Sequence, residues 1–124
     1  MREELVEFER KLYNIYKLGE LYARNENPKL VDIFQLLAEE SLRHEKTLRT
    51  VNFKISGNIT FPTIKDSPES LDELIREAIV AEEILAKVYL ELAAGLDGSE
   101  RDILRMMGEE ALKHVYRLKL IYSR

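Results

Sequence analysis

The sequence contains two histidines, and both occupy the same short context. Glu39-Glu40-Ser41-Leu42-Arg43-His44 is echoed by Glu109-Glu110-Ala111-Leu112-Lys113-His114. Two more acids have matching surroundings: Glu9 stands seven residues before Tyr16, and Glu82 seven before Tyr89. Carboxylates and imidazoles together bind zinc, iron or manganese. Without a metal they share protons in hydrogen-bonded pairs. A repeat that returns a histidine to the same place implies a duplicated unit with a site between its copies.

These residues need elements that bring them together. Leu5, Phe8, Leu12, Ile15, Tyr16 and Leu18 recur at helical spacing and predict a first helix over 2–24. Glu9, Gly19 and Glu20 lie near that stripe. Asn25-Glu26-Asn27-Pro28 interrupts it, with Asn27 as the expected cap and Pro28 in the first turn of a second helix over 28–51. Leu30, Ile33 or Phe34, Leu37, Ser41, His44 and Leu48 follow one face of that helix. Residues 52–67 are β-branched, aromatic and turn-rich, without helical period. They read as a long crossover packed through Phe53, Ile55, Ile59, Phe61 and Ile64. Ser67-Pro68-Glu69 predicts the start of a third helix reaching Ala94. Its inner face is Leu71, Leu74 or Ile75, Ala78, Glu82, Leu85, Tyr89 and Ala93. After Gly95-Leu96-Asp97-Gly98, Ser99 caps a fourth helix running to Tyr122. Ile103, Met107, Ala111, His114 and Leu118 face inwards.

The expected architecture is a single all-α domain over 1–124, an antiparallel four-helix bundle made of two hairpins, about 2–51 and 68–122, joined by the crossover at 52–67. Composition agrees. Charged residues make up 34% of the chain and Gly and Pro are scarce, which favours long helices over loops. The net charge is -4 with acids and bases interleaved, so no nucleic-acid footprint is indicated. No apolar run approaches the ~18–20 residues that span a bilayer. The first residues lack the apolar core of a signal peptide, so a cytoplasmic location is the default expectation. Cysteine is absent, which removes disulfides, thiolate metal sites and cysteine nucleophiles together.

Glu9 and Glu82 then pose a physical problem. Each falls on a face that packs into the core, and an unpaired buried carboxylate costs several kcal/mol or becomes neutral. The available partners are the two histidines, the two tyrosines or a cation. Glu9 to His44 spans 35 positions and Glu82 to His114 spans 32, so each hairpin carries its acid on one helix and its histidine on the next. Two carboxylates and two imidazoles facing one another resemble the inner ligand set of a carboxylate-bridged bundle.

The paired motifs, Glu9…Tyr16 with Ala38-Glu39-Glu40-Ser41-Leu42-Arg43-His44 and Glu82…Tyr89 with Glu109-Glu110-Ala111-Leu112-Lys113-His114, resemble the rubrerythrin-type domain of the ferritin-like superfamily. Phe34 and the Asn27-Pro28 turn are similar to that family as well. The resemblance covers all four helices. It implies a ferritin-like fold with a crossover between helices two and three. It also implies metal ligation by Glu9, His44, Glu82 and His114, with Tyr16 and Tyr89 orienting the carboxylates from outside. In the family a glutamate three residues before each histidine bridges two metals. Here those positions are Ser41 and Ala111, so both bridging carboxylates are missing.

Three arrangements follow. Glu9, His44, Glu82 and His114 close around one iron, zinc or manganese ion. Alternatively Glu40 and Glu110 turn inwards as substitute ligands, with Glu20 and Glu83 in reserve. Or no metal binds, and Glu–His–Tyr hydrogen bonds fill the core. Otherwise Glu39, Glu40, Glu109 and Glu110 read as a solvated face paired with Arg43 and Lys113, and Met106-Met107 as filler. The resemblance implies a non-haem iron or manganese oxidoreductase handling iron, oxygen or peroxide, with an external electron donor; a homodimer is expected through the outer faces of the bundle. The competing expectation is a non-enzymatic bundle whose relic polar core serves structure or interaction.

Overall fold

The computed structural model describes residues 2–53, 61 and 63–122. Its helices are α1 (Arg2–Glu26), α2 (Val31–Thr50), α3 (Leu71–Ala94) and α4 (Gly98–Tyr122), with one 3-10 turn at Pro28–Leu30 before α2. The described residues contain no strand. The expected four-helix architecture is the one observed.

The helices exist because their apolar residues repeat at three- and four-residue spacing and bury one face each. On α1 the buried set includes Leu5, Phe8, Leu12, Ile15, Tyr16 and Ala23, with Glu9 and Glu20 among them. Phe34 rather than Ile33 is the core residue of early α2, and Leu104 rather than Ile103 that of early α4. Both differences are one residue, about 100° of helix turn, which sequence period alone does not resolve. Leu18 is only partly buried. Of the methionine pair, Met107 is core and Met106 is exposed.

Three helix starts differ from expectation. The fourth helix begins at Gly98, which puts Ser99 inside it and not at its cap. Pro28 opens a 3-10 turn and not α2, and the Asn27 side chain makes no capping bond. The Asn27 carbonyl does the work instead, accepting from the Leu30 N–H at 3.0 Å. The third helix begins at Leu71, not at Pro68. Ser70 is its cap, accepting from the Glu73 N–H at 3.1 Å. Ser70-x-x-Glu73 has capping-box spacing. Just before it, the Pro68 carbonyl accepts from the Tyr22 hydroxyl at 2.6 Å.

The two hairpins, α1 with α2 and α3 with α4, are the most extensive helix pairs, and α1 against α3 joins them. The described residues around the crossover meet α1 near its start, its middle and its end. Arg2 bonds Asn52 at 3.0 Å, Phe8 stacks on Phe61 with centroids 4.6 Å apart, and Tyr22 holds Pro68. Phe53 and Ile64 are buried, as expected of a packed crossover. Ile55 and Ile59 lie outside the described residues. This path carries the chain back along the bundle, so α3 starts beside the end of α1 and runs antiparallel to it. Tyr16 therefore meets Glu82, and Tyr89 meets Glu9. No described helix is long and apolar enough to cross a membrane.

Candidate functional site

The polar side chains expected to face inwards do so. Glu9, Glu82 and His114 are each 1% exposed, His44 is 2% and Ser41 is fully buried, as are Tyr16, Tyr89 and Ala111. They form two clusters, each with one residue from every helix. In the first, His44 Nδ1 lies 3.0 Å from Glu9 Oε2 and His44 Nε2 lies 3.3 Å from Glu110 Oε1. Tyr89 donates to the same Glu9 Oε2 at 2.7 Å. In the second, His114 Nδ1 lies 2.7 Å from Glu82 Oε2, and His114 Nε2 bonds Glu40. Tyr16 donates to Glu82 Oε2 at 2.6 Å. The two imidazole rings stack with centroids 6.2 Å apart.

A rule organises the contacts. Each histidine turns Nδ1 to the glutamate of its own hairpin and Nε2 to a glutamate of the other. Each tyrosine crosses between hairpins. The bundle thus closes over a polar centre that ties its halves together. Glu40 and Glu110, at 21% and 17% side-chain exposure, form its outer edge between α2 and α4.

The charges follow from this geometry. Burial pulls the His44 pKa down, but Glu9 and Glu110 outweigh it and raise the pKa to about 10. For His114 burial again pulls down, while Glu82 and Glu40 raise it to about 9. In both rings the neighbouring carboxylates favour the protonated form. Burial pushes the Glu9 carboxyl up, with His44 opposing. The Tyr16 and Tyr89 hydroxyls are pushed far up by burial first and by Glu82 and Glu9 next, so they remain donors. Glu40 and Glu110 are lowered chiefly by their histidine hydrogen bonds.

Some expectations need correction. Glu40 and Glu110 are not a plain solvated face, because each leaves its own helix surface to reach a histidine of the other hairpin. Nor do they stand beside Glu9 and Glu82 as inner ligands, since they contact the opposite edge of each ring. Glu39 and Glu109 are exposed. Arg43 pairs with Glu110 across the bundle and not with a neighbour on α2. Glu20 is no reserve ligand: Lys17, Arg24 and Gln35 bond it at 2.9, 2.8 and 2.9 Å. Glu83 is half-exposed near Lys119.

Sequence reasoning missed Glu45, which is 3% exposed. Arg10 grips both of its oxygens at 2.5 and 2.7 Å, and Arg49 adds a bond at 3.2 Å. A signal was present. Arg10 and Glu45 each follow the inner pair by one residue, so they repeat its separation of 35. This bidentate ion pair, its carboxylate buried and its guanidinium half-exposed, fixes the register of α1 on α2 at the level of Glu9 and His44.

Among the described residues no group of three or more His, Asp or Glu side chains stands arranged as a metal site. The inner donors come as two Glu–His pairs. Glu9 Oε1 and Ser41 Oγ are buried without a hydrogen-bond partner. The groove lined by Arg2, Glu3, Val6, Glu7 and Arg49 contains none of these residues.

Comparison with known proteins gives one clear result. The rubrerythrin family model matches residues 6–122, nearly the whole chain and both clusters. No curated protein and no solved structure gives a significant match. With the four-helix fold and the paired Glu–Tyr–His sets in place, the chain belongs to the rubrerythrin family, a ferritin-like domain.

Proposed function

We propose that the protein binds a divalent transition metal at its polar centre, through Glu9, His44, Glu82 and His114. The observation that carries this reading is the two-sided hold on each histidine. A metal-bound imidazole characteristically gives its other nitrogen to a carboxylate, which fixes its orientation and strengthens it as a ligand. Glu110 and Glu40 occupy that position on Nε2, while Nδ1 meets a buried carboxylate oxygen. The unpartnered Glu9 Oε1 adds a buried acceptor that a cation would satisfy. Carboxylate with imidazole suits iron, manganese or zinc.

Tyr16 and Tyr89 orient Glu82 and Glu9 by hydrogen bonding. The packed helices keep bulk water from the donors. Binding would release a ring proton, because an imidazole nitrogen must be deprotonated to ligate a metal. A bound iron ion supplies one-electron redox chemistry towards oxygen or peroxide. Electrons for an oxidoreductase would come from an external donor, since the sequence has no cysteine for a built-in one. A homodimer is proposed too, with Leu112, Tyr116 and Leu120 as exposed apolar residues on α4. Sedimentation equilibrium reads it directly: a monomer of 14.5 kDa overturns it.

A second reading has its own observation. The inner groups already satisfy one another, with imidazolium rings standing where cations would be. In that reading the cluster is a metal-free lock that specifies how the hairpins pair. Anaerobic equilibration with Fe(II), Mn(II) or Zn(II), desalting and elemental analysis separates the two. Metal binding predicts close to a full equivalent or more, and retention below about a tenth of an equivalent leaves only the lock.

A further inference from the structure

Apolar exposure is unevenly spread over the bundle. Among the described residues eight large apolar side chains are exposed, and five of them, Met106, Leu112, Tyr116, Leu120 and Tyr122, lie on α4. Tyr and Met are residue types enriched where proteins meet. α4 packs extensively against α3 alone, whereas α1 packs against both α2 and α3. Glu109 and Lys113 are exposed beside these apolar residues. The ion pairs of α4 to other helices use Glu110, His114 and Lys119. Among the described residues Glu109 and Lys113 have none. At about 100° per residue, Leu112, Tyr116, Glu109, Lys113 and Met106 share about 120° of arc, turned away from the core residues Met107, Ala111 and Leu118.

We propose that this face of α4 pairs with the same face of a second copy of the chain, antiparallel about a twofold axis at the level of Ala111. This rests on the homodimer proposed above and deepens it by naming the surface and its register. Charge complementarity selects a second copy as the occupant. In a twofold pair one patch must be complementary to itself. Glu109 stands two residues before Ala111 and Lys113 two residues after it. A twofold axis at that level sets Glu109 of each copy beside Lys113 of the other. The same axis serves the apolar residues. Met106 stands five residues before Ala111 and Tyr116 five after, so the thioether of each copy meets the ring of the other, a favourable contact. Leu112, one residue from the axis, meets its own counterpart. Glu109 with Lys113, and Leu112 with Tyr116, are rows of four-residue spacing, the ridges that interlock when two helices cross at about 50°. A parallel pairing would set Glu109 against Glu109 and Lys113 against Lys113. A partner charged with one sign would meet a like charge on this mixed face.

Sedimentation equilibrium of the full chain and of charge-reversed variants tests this. Glu109→Lys and Lys113→Glu should each weaken dimerisation at least about tenfold, because either change places like charges together twice in one dimer. The double variant, Glu109→Lys with Lys113→Glu, should return to within about threefold of the parent, since the swap restores both pairs. Glu39→Lys is the control: it is exposed on α2, is the repeat counterpart of Glu109 and changes the net charge equally. It should leave the dimer unchanged. All these side chains are exposed, so the variants keep the fold. A dimer that tolerates both single reversals, a double variant no tighter than the singles, or a control as weak as Glu109→Lys would overturn this surface and register while leaving the homodimer intact. A monomeric parent would overturn both.

Discussion

Tyr16 and Tyr89 each donate a single hydroxyl hydrogen to a carboxylate of the other hairpin. Each hydroxyl is sealed from water, so its loss is not compensated by solvent. Tyr16→Phe and Tyr89→Phe should each destabilise the fold by about 1–3 kcal/mol, the range for leaving a buried polar group without its partner. Urea denaturation measures this. Tyr116→Phe is the control, because Tyr116 is 67% exposed and surface changes stay within about 0.5 kcal/mol. If the buried variants match the control, the hydroxyls are not holding the carboxylates. At this scale the sequence was informative: a Glu–Tyr spacing of seven puts both on one helix face. It could not show which glutamate each tyrosine serves. That depends on how α1 and α3 slide past each other.

Element packing turns on small residues and buried ion pairs. A Cβ added at Gly19 would sit 2.8 Å from two atoms of the Phe34 ring and 3.2 Å from Leu74. Phe34 is fully buried and cannot swing away. Alanine gains about 1 kcal/mol of helix propensity, but overpacking costs about 1–3 kcal/mol. Gly19→Ala should therefore lower the melting temperature. A rise would show that the α1–α2 contact adapts. Glu20, on the same helix, is held well below the usual carboxylate range, at about 2, first by Lys17 and then by Gln35. A depressed carboxyl stabilises the fold above its ordinary value of 4.5 and loses that effect as pH falls towards 2. The melting-temperature gap between the parent and Glu20→Gln should be widest at neutral pH and shrink through that window. A gap independent of pH would remove Glu20 from the account. Apolar period made these helices legible, whereas their exact starts were not. Ser67 and Ser70 are both good caps, but only Ser70 has a glutamate three residues on, Glu73, whose N–H it caps.

The whole molecule is two like hairpins closed on a shared polar centre. If its lineage is that of a two-metal bundle, Ser41 and Ala111 mark the missing carboxylates. Ser41→Glu combined with Ala111→Glu should raise metal binding to two equivalents by elemental analysis. The metal-free double variant should be several kcal/mol less stable than the parent, because two more carboxyls are buried. A folded double variant that still takes one metal or none would count against the alignment of the two halves. The sequence by itself determined the helices, the hairpin pairing, the crossover and the inward placement of Glu9, His44, Glu82 and His114. All of these follow from local periodicity and from a repeat that needs no three-dimensional knowledge. Only the tertiary structure decided that Glu40 and Glu110 cross to the opposite histidines and that Arg10 neutralises Glu45. These are contacts between helices, where fractions of an ångström and the competition among several nearby charges choose the partner.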